Sequence, residues 1–182
     1  MDSINLFILS EGLKLSSIGE YQKALTKSYD KKQIKEEEKE TLKNFVGELL
    51  TNGADISDLS GFFYAFSIPQ ISKEFDLLKI YKDDVVVNIE LKSQEIELEK
   101  IEYQLRKNRY YLSHLNKTVY SFTYVKTESG GDIYSYNGIE LKSSSIQEIL
   151  DSIKRDKQYI EEKIEKLFKA KDYLISPINT PD

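Results

Sequence analysis

The segment Val85-Val86-Val87-Asn88-Ile89-Glu90-Leu91-Lys92 joins a continuous apolar run to an alternating tail. Side chains on a strand alternate between faces, so Ile89 and Leu91 point one way while Asn88, Glu90 and Lys92 point the other. The valine run is the pattern of a strand buried on both sides. Charged side chains are almost never fully buried without a partner, and an unpaired one costs several kcal/mol. A compensating group is therefore expected beside Glu90 and Lys92. A divalent cation carrying a phosphate ligand would serve.

Upstream, Glu74-Phe75-Asp76-Leu77-Leu78 predicts a partner strand from Phe75 to Ile80, with Lys82-Asp83-Asp84 as the turn between the two. Phe62 to Phe66 reads as an aromatic strand. Ile68-Pro69-Gln70-Ile71 continues extended, because proline disfavours the helical region for its predecessor. Ile34, Leu42, Phe45, Val46, Leu49 and Leu50 recur at helical spacing within a largely helical stretch over 1–53, which Gly53 closes. Glu38 falls inside that apolar stripe, whereas the rest of Lys35 to Glu40 reads as a solvated face. Glu95 to about Lys117 is a second helix, with Leu98, Ile101, Leu105, Leu112 and Leu115 on one side.

Thr118 to Lys126 returns as a strand, and Gly130-Gly131-Asp132 turns into a further strand over 132–141. Ser145 with Glu148 fits a capping box. From there Ile146, Leu150, Ile153, Ile160, Ile164, Leu167 and Leu174 predict one long helix over 145–175. Its seam should pack on the helix of Leu105 and Leu112 or, second, in a homo-oligomer. Lys157 within the seam argues against a tight parallel coiled coil. Residues 176–182 read as a linker. These elements predict an α/β fold, a central mixed sheet of about four or five strands flanked by helices. One domain spans 1–175, with its core over 62–142.

At 182 residues the chain can bury a real core. No window approaches the roughly 18 apolar residues of a membrane span, and the short run Ile4 to Leu9 is no secretory signal. The absence of Cys removes disulfides and thiolate metal sites and fits a cytoplasmic protein. A single His removes a multi-His zinc site and argues against a Ser–His–Asp triad. Oxygen-ligand chemistry remains. The net charge of −5 disfavours a surface that binds polyanions everywhere, yet a local basic groove is compatible with it.

Asp76, a hairpin-like gap and Glu90-Leu91-Lys92 on a buried strand resemble the motif of the PD-(D/E)xK, restriction-endonuclease-like nucleases. The similarity runs from about Phe62 to Val125. The next helix bears Gln104, Asn108 and Tyr110–Tyr111, similar to the Gln-containing helix that many members place beside the active site. One departure is that Glu74-Phe75, not Pro, precedes the Asp, and Pro69 lies further upstream.

The resemblance implies a restriction-endonuclease-like fold and a Mg²⁺ or Mn²⁺ ion held by Asp76, Glu90 and the carbonyl of Leu91. It also implies Lys92 as the group that orients the attacking water or neutralises charge on phosphorus, and Gln104 as a neutral residue fixing water or substrate. Members often direct a helical Glu at the metal, a place Glu38 would take. Ile68 to Leu112, with the trailing Ser176-Pro177-Ile178-Asn179-Thr180-Pro181, resembles the N-terminal nuclease module of bacterial nuclease–helicase proteins, some of which defend against phage. DNA is then the expected substrate, and an ATPase/helicase domain is expected beyond residue 182.

Tyr110 and Tyr111 with Arg106, Lys107 and Arg109 would stack a base or hold phosphates, or else Tyr111 is core and the cations are a solvated face. His114 and the hairpin Tyr134-Ser135-Tyr136 read as packing. The competing function is a non-catalytic domain that keeps the nuclease fold and binds nucleic acid or a protein partner. In that case Asp76 and Lys92 would form an ordinary cross-strand ion pair.

Overall fold

The double-sided burial written into residues 85–92 is met by a three-layer arrangement of helices around one mixed sheet. The structure is a computed structural model, and it describes residues 1–12, 34–69, 71–156 and 158–168. Its strands are β1 (Phe62–Ile68), β2 (Lys73–Ile80), β3 (Val85–Lys92), β4 (Thr118–Thr127), β5 (Gly130–Tyr136) and β6 (Leu141–Ser144), paired in that order. All neighbours are antiparallel except β3 and β4, which run parallel from Val85↔Thr118 to Lys92↔Val125. A parallel pair needs a crossover connection, and a helix over Leu98–Ser113 supplies it. In chain order the α-helices described are α1 (Leu6–Gly12), α2 (Glu36–Thr51), α3 (Leu98–Ser113) and α4 (Ile146–Ile153).

Leu42, Phe45, Val46 and Leu49 of α2 share one core cluster with α1, α4 and the face of the sheet that carries Leu77, Val87, Ile89, Phe122 and Tyr124. Leu112 of α3 packs on the opposite face, with Phe63, Phe66, Leu78, Val86 and Val119. Gly53 sits just past α2 with φ 102°, the left-handed region expected of a residue closing a helix. Ser145 Oγ accepts the Glu148 N–H at 3.3 Å, which starts α4 at the capping residue the sequence marks. Among the described residues no helix is long and apolar enough to cross a membrane.

The sheet has one strand more than expected because residues 132–141 do not run straight. Asn137 Oδ1 accepts the N–H groups of Ile139 and Glu140, and Gly138 takes φ 99°, so the chain turns there and Leu141–Ser144 returns as β6. The preceding turn is also displaced. Glu128 and Ser129 make it, and Gly131 serves another purpose, since a Cβ there would lie 2.1 Å from the Tyr124 ring.

The expected helix over 145–175 is corrected: α4 ends at Ile153. There the Tyr81 hydroxyl donates to the Ile153 carbonyl at 2.7 Å, and Lys154 Nζ donates to the Gly53 carbonyl at 2.7 Å. Residues 158–162 then cross the sheet at the end of β2, through a Tyr81↔Tyr159 bridge and an Ile160 N–H to Ile80 carbonyl bond of 2.8 Å. Ile149, Leu150 and Ile153 belong to the cluster under α2, whereas Ile164 and Phe168 belong to the cluster shared with Leu112. No straight helix can place one seam in both layers. The seam does pack within the chain, in two pieces on two faces. Residues 169–175 of the expected helix and the linker 176–182 lie outside the described residues.

Candidate active site

On the α3 side of β3, the alternation places Asn88 and Glu90 beneath the helix, with 0% and 1% of their surface exposed. The buried positions of α3 are Ile101, Leu105, Asn108 and Leu112, a helical stripe interrupted by one amide. Leu112 joins one apolar cluster, and Ile101 and Leu105 join another with Val125 and Tyr136. Between them lies a polar belt. Gln104 Nε2 donates to Glu90 Oε2 at 2.6 Å, and Asn108 Nδ2 donates to Glu90 Oε1 at 2.7 Å and to Asn88 Oδ1 at 2.9 Å. Asn88 Nδ2 adds a bond to Glu90 Oε1 at 3.0 Å. The parallel register continues the belt onto β4, where Ser121 pairs with Asn88 and Thr123 with Glu90. Among the described residues, Asn108 Oδ1, Ser121 Oγ and Thr123 Oγ1 are buried without a partner, each carrying a desolvation cost of about 1–3 kcal/mol unless water enters.

Asp76 reaches this belt through a gap in the sheet. The β2–β3 ladder ends at Leu77↔Ile89, while Glu90, Leu91 and Lys92 stay paired to β4. In the opening, Asp76 Oδ2 accepts the Leu91 N–H at 2.8 Å. The N–H and C=O of one strand residue project to the same side, so the Leu91 carbonyl also faces the opening. On its other side the β1–β2 register skips the Ala65–Asp76 position, and Ala65 takes φ 50°. Left-handed backbone at alanine costs roughly 1–2 kcal/mol. The strain is thus stored at the residue facing Asp76.

Burial raises both carboxyl groups. Glu90 is pushed up to about 7, by loss of water first and by the neighbouring Asp76 charge second. Asp76 is raised by burial against the pull of the Leu91 N–H and the Lys92 ammonium. Two cations answer this pair. Lys92 follows Glu90 on the same face, as its spacing predicts. Lys73 is an addition from the start of β2: burial lowers its pKa, and the charges of Glu90 and Asp76 oppose that shift. Its Nζ lies 5.0 Å from the Phe75 ring centroid. Nothing in local periodicity singles out Lys73, since the pairing of β2 with β1, Ile68↔Lys73 included, is what brings it back. Asn108 does leave a signal, as a lone amide in the stripe of Ile101, Leu105 and Leu112.

Asp76, Glu90, Leu91, Lys92 and Gln104 are therefore brought together. Glu38 instead closes the N-terminus of α2, its carboxylate accepting the Lys35 N–H at 3.2 Å. Its charge still joins those of Asp76 and Glu74 in raising the Tyr64 hydroxyl, which burial raises most. Tyr111 packs against the Leu112 cluster, and Tyr110 stands edge-on to Tyr111 and His114 at 5.4 and 5.6 Å. Arg109 Nη1 donates to the Val119 carbonyl at 2.7 Å. Tyr136 is buried and Tyr134 packs beside it, so that hairpin is packing. The exposed aromatic on α3 is Tyr103, 56% exposed, with Arg106 and Lys107 at 5.7 and 5.8 Å from its ring centroid.

Among the described residues no three or more His, Cys, Asp or Glu side chains gather into a metal cage. Two carboxylates and a main-chain carbonyl are nonetheless the hard oxygen donors that suit Mg²⁺, which retains several waters and takes one or two protein carboxylates. The mutual repulsion of Asp76 and Glu90 is what a divalent cation between them would relieve. No protein-family model matches the chain, no curated protein matches it, and no solved structure matches it. Fold and site together define an α/β protein with a carboxylate pair and two lysines at a sheet opening.

Proposed function

We propose that this chain is a Mg²⁺- or Mn²⁺-dependent nuclease that hydrolyses phosphodiester bonds of DNA. The observation that supports it most is the opening between β2 and β3, where Asp76 and Glu90 meet without a covering strand. The site's residue set and its parallel crossover resemble a restriction-endonuclease-like arrangement. On this reading Asp76, Glu90 and the Leu91 carbonyl hold the ion. When bound, such an ion supplies Lewis acidity toward the phosphate and lowers the pKa of a coordinated water. Lys92 would orient the attacking water and offset charge developing on the phosphoryl oxygens. Gln104 bonds Glu90 before substrate arrives and fixes its orientation.

Tyr103, Arg106 and Lys107 on the outer face of α3 supply the nucleic-acid contact, combining a ring that can stack with two cations that can meet phosphates. We place the chain as the nuclease module of a larger nuclease–helicase of the kind used against phage, following its resemblance in sequence. The test is incubation with plasmid, linear and single-stranded DNA and with RNA, with Mg²⁺ and with EDTA. Metal-dependent cleavage of DNA is expected. Binding without cleavage under every metal condition would replace this reading by a non-catalytic domain that binds nucleic acid.

A further inference from the structure

Asn108 sits where the apolar stripe of α3 calls for a leucine, and it is fully buried. Both hydrogens of its amide are used, one on Glu90 Oε1 at 2.7 Å and one on Asn88 Oδ1 at 2.9 Å. The reverse amide orientation would set an oxygen against two acceptors, so the orientation is dictated by the network. Its consequence is that Asn108 Oδ1 has no partner among the described residues. A residue kept only to pack the helix would not leave a buried oxygen unsatisfied, because an apolar side chain of similar size avoids that cost. Asn88 closes the network by donating to the same Glu90 oxygen at 3.0 Å. Gln104, one helical turn before Asn108, holds the other oxygen.

We propose that Asn108 is a positioning residue for the metal-ligand role of Glu90. Together with Asn88 it fixes Oε1 from behind, so that the carboxylate meets the ion in one orientation. This rests on the nuclease reading given above. Groups that orient a metal ligand through hydrogen bonds typically account for about 10–100-fold in metal affinity.

The test is calorimetric titration of Mn²⁺ into the full chain without substrate, comparing wild type with Asn108→Ala and Leu112→Ala. Leu112 is buried one turn further along α3 and makes no bond to Glu90, so its variant controls for loosened packing. Asn108→Ala is expected to bind Mn²⁺ about 10–100-fold more weakly, with Leu112→Ala binding as wild type does below its melting temperature. If Asn108→Ala does not fold, Asn108→Ser takes its place, because the shorter hydroxyl side chain tolerates the polar belt but cannot span to Glu90. Wild-type affinity in the Asn108 variant overturns the inference alone, as does an equal loss in Leu112→Ala. A wild-type protein that binds no Mn²⁺ overturns both the inference and the nuclease reading.

Discussion

Asp76 Oδ2 accepts the Leu91 N–H at 2.8 Å, so a β2 side chain stands where a β2 main-chain carbonyl would have continued the ladder. The substitution of side chain for backbone keeps the Leu91 N–H satisfied while the two strands separate. It also aims Asp76 at Glu90 and turns the Leu91 carbonyl into the same opening. One hydrogen bond thus spans the gap and furnishes it.

Asp76→Asn keeps that bond through its amide oxygen, so the variant should fold. It should show no metal-dependent cleavage and no Mn²⁺ binding by calorimetry, and Glu90→Ala should behave alike. For wild type, Mg²⁺ at about 100 times its Kd should add about 2.7 kcal/mol of stability, raising Tm by roughly 5–10 °C for a chain of this size. A Tm in Asp76→Asn that rises equally with Mg²⁺ would show the ion acting elsewhere.

Glu90 is held near 7, above its ordinary 4.5, and this sets a pH dependence for the metal-free protein. Between those values the folded state keeps a proton that the unfolded chain has released, so stability falls as pH rises through that window. Below 4.5 both states are protonated and the contribution vanishes. Urea unfolding in EDTA at a series of pH values should show this decline. Glu90→Gln, with Gln104 reversing its amide to accept, should remove Glu90's part of the decline and leave the part that Asp76, raised by burial in the same direction, contributes.

Lys92→Ala should lower turnover by about 10²–10³ while Mn²⁺ affinity stays within a few-fold of wild type, because an ammonium is no ligand. Single-turnover cleavage and calorimetry on the same preparation separate the two effects. Lost metal binding in this variant would assign Lys92 to holding the carboxylates together instead.

Replacing Arg106 and Lys107 by Ala, with Tyr103 retained, should weaken DNA binding about uniformly across sequences and lower the salt slope by up to about 2. Anisotropy in Ca²⁺ or EDTA, where no cleavage is expected, measures both quantities. An unchanged slope would move the contact surface off α3.

Ile164→Ala should cost about 2–5 kcal/mol, the range for truncating a buried aliphatic side chain. The crossing segment is then part of the folded core, and thermal unfolding should register it. A Tm equal to wild type would mean that residues 158–168 contribute little to the layer they cover.

The sequence alone determined what depends on near neighbours. Val85–Val87 and the alternation after them marked β3 to the residue, since period-two burial is a local property of a strand. It also indicated the α/β class and the capping residue Ser145, whereas the convergence of Asp76, Glu90, Lys92 and Gln104 was only what the resemblance of the motif implied. Tertiary structure decided the rest. The spacing of Leu150, Ile153, Ile160 and Ile164 says that these side chains are apolar, but not that Leu150 and Ile153 belong on one face of the sheet and Ile164 on the other. Tyr81 meeting the Ile153 carbonyl, 72 positions away in the chain, and Lys154 meeting the Gly53 carbonyl hold the helix end where the next segment leaves across the sheet. Lys73 enters the site, and Glu38 becomes a helix cap, by the same logic. Periodicity reports which residues share a face of one element, whereas the choice among faces, layers and partners is made by contacts between elements distant in sequence.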